Sequence, residues 1–297
     1  SWYWSQRALD AAYGGQLDEA ERWSDEAIRL LAVVGEALGV GGLRLSQGTI
    51  IGGVAMFSRA YALGCRGEPS TFVESLPEMA RAAGAAGYFL TPALLELNYA
   101  VSRCHTGDLA AADAAFARCR AANELAGTEA TLVNAAPYWA DLALVEGDVV
   151  EARRRLDTVA DSLVSVHSVH ARSRLALRLA AIALIEHEPG EAERQAHEAL
   201  ALAAAEDLAW ETLHALELLA QVAAATDSHV EAARLAGAVA RIRMDTGIGL
   251  RLAWHGDHFD AALTSAVESL GPDEYQAAWD QGHALDTFEA IAYVTRT

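Results

Sequence analysis

Small and apolar residues recur along this chain at three- and four-residue steps, interrupted at fixed distances by glycine or polar positions. After Gly147 the row Ala152, Leu156, Val159 and Leu163 shares one helical face. After Gly107 the matching row is Ala112, Phe116 and Cys119, and after Asp227 it is Ala232, Ala236 and Val239. The flanks are rich in Ala, Leu, Glu and Arg, which favour helix. The pattern predicts helices joined by short turns.

The rows repeat. Ala60, Ala100, Ala140, Ala180 and Ala220 stand forty residues apart, and Ala112, Ala152, Ala192 and Ala232 follow twelve residues behind the last four. Phe72 breaks the second series at its start. Gly67, Gly107, Gly147, His187 and Asp227 each lie seven residues after an alanine of the first series, and Gly15 lies seven after Ala8. Glycine ends a helix by allowing positive φ, and Asp or Ser caps the next one. Each unit therefore reads as helix, turn, helix. A fixed period of this length marks a repeat array.

Six units are expected, near 1–35, 50–85, 91–126, 131–165, 170–205 and 210–243. Ala8 to Ala60 is twelve residues longer than the period, and the surplus falls in a glycine-rich insert over 35–53, read as a loop or broken helix. Repetition stops after Arg243. The stretch 244–256 reads as a linker with an apolar plug. Helices are expected over 257–270 and 273–281, then a last one capped by Asp286. Residues 244–297 form a C-terminal helical cap for the array.

The unit Trp139, Ala140, Ala152, Leu156, Val159 resembles the tetratricopeptide (TPR) helix pair, as do Trp4, Ala8, Ala20, Ser24 and Ala27. The usual TPR length is about 34 residues. Here Ala143, Ala183 and Ala223 replace the usual Tyr, and the late Pro is missing. HEAT-type repeats, of similar length, are the alternative. The resemblance implies an all-α, right-handed α-solenoid of about six TPR-like pairs. The tail adds Leu270, Gly271, Tyr275, Ala278, Trp279, Gly282, Leu285, Glu289 and Ala290, in that order. This order, with 235–247 before it, resembles the helical repeat region of actinobacterial LuxR-type, STAND ATPase transcriptional regulators. Their nucleotide-binding and DNA-binding modules are expected outside this chain, which reads as a segment of a longer protein.

Composition narrows the function. The net charge is −19, which disfavours contact with nucleic acid. All 22 basic residues are arginines, so a lysine-bearing phosphate loop is excluded. Arg153, Arg154 and Arg155, and Arg172, Arg174 and Arg178, read as helix-surface partners of nearby acids. Cys65, Cys104 and Cys119 suggest no disulfide framework and read as small buried hydrophobes. His167 with His170, and His255 with His258, have metal-ligand spacing but no evident third ligand. No nucleophile motif appears. The chain is read as cytoplasmic and non-enzymatic, with no membrane contact, metal or cofactor.

In TPR arrays the first helix of each pair lines a concave groove, as the resemblance implies. Counting from the small residue of each unit gives candidates six and three before it, and one, four and five after it. The binding candidates are Trp2, Tyr13, Phe57, Tyr61, His105, Asn134, Asp141, Arg174, His214, Glu217 and Gln221. Ala181, Leu184, Ile185, Ala224 and Ala225 occupy further counted positions. The expected occupant is a small-molecule effector, or a protein or peptide partner, with homo-oligomer formation left open. The alternative is an interaction scaffold with no effector.

Overall fold

The computed structural model describes residues 2–37, 46–66, 71–85, 87, 90–127, 130–165, 168–249 and 253–296. Among these there are fifteen α-helices and no strand, so the protein is all-α. The chain forms two compact units, 1–142 and 143–297. The first holds α1 (Trp2–Tyr13), α2 (Leu17–Ala37), α3 (Ser46–Arg66), α4 (Thr71–Ala85), α5 (Leu90–Thr106) and α6 (Leu109–Ala126). Helix α7 (Ala130–Val145) crosses the boundary. The second holds α8 (Val149–Ser165), α9 (Val169–Ile185), α10 (Pro189–Ala205), α11 (Ala209–Ala225), α12 (His229–Thr246), α13 (Ala253–Leu270), α14 (Pro272–His283) and α15 (Thr287–Val294).

Backbone conformation sets the spacing. Gly15, Gly107 and Gly147 have φ of 74°, 78° and 75°, and His187 and Asp227 adopt the same left-handed state at 61° and 59°. The series is denser than the forty-residue register implied. Positive φ recurs at 87, 107, 127 and 147, and again at 187, 207, 227 and 247. Each helix with its turn thus occupies twenty residues, and the forty-residue unit is two such steps. The next helix is then capped where a suitable side chain follows. Asp108 accepts from Ala111 N at 3.2 Å, Asp148 from Glu151 N at 2.9 Å and Ser168 from Ala171 N at 3.2 Å.

Packing is similar in both units. In the first, α1 contacts α2, α2 contacts α3, α4 contacts α5 and α5 contacts α6; in the second, α8 to α14 contact one another in turn. Odd helices also contact odd helices, α1, α3 and α5 in the first unit and α9, α11 and α13 in the second, and α12 packs on α14. The registered alanines lie at these crossings, and none is more than 3% exposed. Ala192 of α10 packs with Ala183 of α9 and Val222 of α11. One period later, Ala232 of α12 packs with Ala223 of α11 and Ala266 of α13. Ala183 and Ala223 stand where the TPR pattern has Tyr, and both pack directly against an alanine of the register. Small residues on facing rows allow this close approach.

The insert over 35–53 is helical at both ends, since α2 runs to Ala37 and α3 starts at Ser46. Its centre, 38–45, lies outside the described residues. In the tail, α13 begins at Ala253 rather than 257. Gly237 of α12 faces Gly282 of α14 so closely that a Cβ on either would overlap backbone of the other helix. The tail motif therefore has a packing reason for its glycine. Asp286 and Glu289 open α15 with a capping box. Ile248 is the buried plug after α12.

Candidate ligand-binding site

In the first unit the groove candidates gather as an aromatic cluster. The Tyr13 ring of α1 meets Tyr61 of α3 edge-on at 5.4 Å and Phe57 at 6.1 Å, and Phe57 stacks on Tyr61 at 6.0 Å. Tyr61 is buried, whereas Tyr13 and Phe57 are half-buried. On α7, Asn134 is half-buried and Asp141 buried. The Trp2 and His105 side chains lie outside the described residues.

In the second unit the candidates separate into two levels along α9 and α11. The lower level is a buried polar cluster. Arg174 donates from Nε to Glu211 Oε1 at 2.5 Å, and His170 Nε2 lies 3.1 Å from the same oxygen. Arg174 and Glu211 are at most 1% exposed. Trp210 lies beneath the guanidinium groups of Arg174 and Arg178, at 4.9 and 5.5 Å. Burial works to raise the Glu211 pKa, but Arg174 and His170 outweigh it and hold the carboxyl well below the usual range. Arg174 and Arg178, expected as surface partners of nearby acids, are instead fully buried, while Arg172 remains exposed. By contrast, Arg154 and Arg155 do pair at the surface with Glu151, at 2.6 and 2.8 Å.

A second buried contact joins α9, α11 and α13. Arg178 Nη1 lies 3.4 Å from His214 Nδ1, and His214 Nε2 lies 2.5 Å from His255 Nδ1. Arginine only donates, which assigns His214 Nδ1 as acceptor and Nε2–H as the donor to His255. Burial, then His255 and Arg178, push the His214 pKa well below 6.5, so the imidazole is neutral. Glu217 is also buried and accepts from Arg243 of α12 at 2.7 Å. Three groove candidates, Arg174, His214 and Glu217, thus lie in buried polar contacts. The His255–His258 spacing does not form one ligand pair: His255 faces His214, while His258 lines a cavity.

That cavity is the upper level. Its volume is about 410 Å³, and it is lined by Ala181, Leu184, Ile185 and His187, by Gln221, Ala224 and Ala225, and by His258, Ala262 and Ser265. Five of the apolar positions and Gln221 were reached by counting from the alanine register, because one face of a helix recurs at three and four residues. His258, Ala262 and Ser265 were not, since α13 belongs to the unrepeated tail. Glu211, Trp210 and Arg178 were also missed. Their only signal was the near-period spacing of Arg174 to Glu211.

Among the described residues no group of three or more His, Cys, Asp or Glu is placed to hold a metal ion. No described helix is long and apolar enough to cross a membrane. Cys65, Cys104 and Cys119 are buried, and burial pushes the Cys119 thiol up to about 12, which leaves it unreactive.

No protein-family model and no experimentally determined structure matches the chain. Three curated proteins do, each 36% identical over 157 residues, or 53% of this chain. One is from Mycobacterium bovis and two are from strains of Mycobacterium tuberculosis. The matched segment is 17% of each relative's length, so this chain corresponds to a small part of them. All three are provisionally named HTH-type transcriptional regulators, and over half its length this chain is similar to a segment of such regulators.

Proposed function

We propose that this chain is the signal-receiving repeat region of a cytoplasmic transcriptional regulator of the LuxR/STAND type, and that it is not itself an enzyme. In this reading the helix pairs over 1–243 form a right-handed, TPR-like α-solenoid closed by the helical cap over 244–297. The nucleotide-binding and DNA-binding modules belong to other parts of the regulator. The observation that carries the reading is convergence. Inner-face residues of two successive pairs, α9/α10 and α11/α12, meet the first helix of the cap around one cavity. A volume of about 410 Å³ falls within the range of small-molecule sites, about 300–1,000 Å³. A ligand there touches α9, α11 and α13 together, so its binding energy favours one packing of the three. The similarity to named regulators supports the wider role.

A thermal-shift screen of metabolites against the 297-residue chain tests it. A compound that raises the melting temperature, and loses that effect in Ala225→Trp, supports sensing. No hit, together with concentration-dependent self-association, would instead favour a docking scaffold.

A further inference from the structure

We propose that the cavity between α9, α11 and α13 takes an uncharged, amphipathic small molecule, held with its apolar face on α9 and α11 and its hydrogen-bonding edge along α13. The inference rests on reading the cavity as a ligand site and adds the ligand's chemical class.

The two walls differ in chemistry. From α9 and α11 come Ala181, Leu184, Ile185, Ala224 and Ala225, an apolar surface edged by Gln221 of α11 and by His187 in the turn after α9. From α13 come His258 and Ser265, with Ala262 between them. His258 and Ser265 are seven residues apart, two helical turns, which places the polar positions about 10 Å from each other. An occupant matched to both walls has one apolar face and hydrogen-bonding groups spaced along the opposite edge.

Charge is selected against on three counts. No Asp, Glu or Arg lines the cavity, so a cation finds no carboxylate there and an anion finds no permanently charged partner, only the His187 and His258 imidazoles. The buried carboxylates of α11 are already paired, Glu211 with Arg174 and Glu217 with Arg243. The cavity lies at the C-terminal ends of α9 and α11, where the helix dipole and the chain's net charge of −19 both repel anions. That field favours a cation, but the lining offers it no carboxylate to pair with. The Leu184 and Ala224 carbonyls already accept from His187 N and Asp227 N, at 3.1 and 3.2 Å.

The test uses the 297-residue chain and the uncharged fluorophore N-phenyl-1-naphthylamine, displaced by 1-octanol, octanoate or octylammonium. The expected result is fluorophore binding that 1-octanol reverses at a concentration at least about ten-fold lower than either ion. Ala225→Trp, which fills the cavity from an exposed helix position, should abolish fluorophore binding without lowering the melting temperature. Ala225→Arg supplies a counter-charge and should bring octanoate level with 1-octanol, which loss of folding could not mimic. Displacement by an ion as strong as by 1-octanol, still blocked by Ala225→Trp, would overturn the charge rule and leave the cavity as the ligand site. Absent fluorophore binding, or binding that Ala225→Trp leaves intact, would overturn the ligand class and the ligand site together.

Discussion

At the residue scale, the second unit depends on groups that are costly to bury and held by specific partners. Glu211 is fully enclosed and shared by Arg174 and His170. Glu211→Gln leaves Arg174 buried without its counter-ion. The expected loss is about 3–5 kcal/mol, read by urea denaturation, and a loss below about 1 kcal/mol would contradict the pairing. His214 carries a pH dependence. It stays neutral in the fold but takes up a proton on unfolding below its ordinary value of 6.5. The unfolded chain then binds more protons, so stability is full above 6.5 and falls as pH drops below it. The slope reaches about 1.4 kcal/mol per pH unit for one proton. Glu211, with an ordinary value of 4.5, adds a second loss as pH falls below that point. Denaturation midpoints from pH 8 to pH 5 should show the first decline, and His214→Phe should flatten it. Gly147 makes a third case. A Cβ there meets nothing within 4 Å, yet φ is 75°, so Gly147→Ala costs conformational energy alone, about 1–2 kcal/mol.

At the element scale, the helix crossings are set by small residues, and the tightest is α12 against α14. A Cβ on Gly237 would come within 2.8 Å of His283 N and closer still to the Trp279 carbonyl oxygen. Gly237→Ala or Gly282→Ala therefore forces the helices apart, at an expected cost of about 3 kcal/mol. Calorimetry should show a lowered melting temperature for either variant. The same scale shows what could be read in advance. The alanine register marked the helix pairs because a crossing needs a small residue at a fixed place. The twenty-residue step escaped notice because its intermediate turns, at Gly87, Gly127, Asp207 and Gly247, follow no alanine of the first series, and Asp207 holds a conformation usually written in glycine. The buried Arg174 and Arg178 were misread because an arginine near acids looks the same in sequence whether its partner is local or 37 residues away on another helix. The α13 wall lay beyond reach of any count, since it has no counterpart in the repeats.

At the scale of the whole molecule, net charge bears on what this chain can bind. With a net charge of −19 it should leave duplex DNA unshifted in a mobility assay, even at low salt. In the proposed reading, its contribution to regulation is made through what it binds. In the proposed reading an uncharged amphipathic ligand enters between α9, α11 and α13. Amide hydrogen exchange of the 297-residue chain, with and without saturating 1-octanol, tests this most directly. The expected result is slower exchange in 181–185, 221–225 and 258–265, where the ligand joins the cavity walls. Unchanged exchange in those segments, or protection confined to the Tyr13, Phe57 and Tyr61 cluster of the first unit, would contradict it.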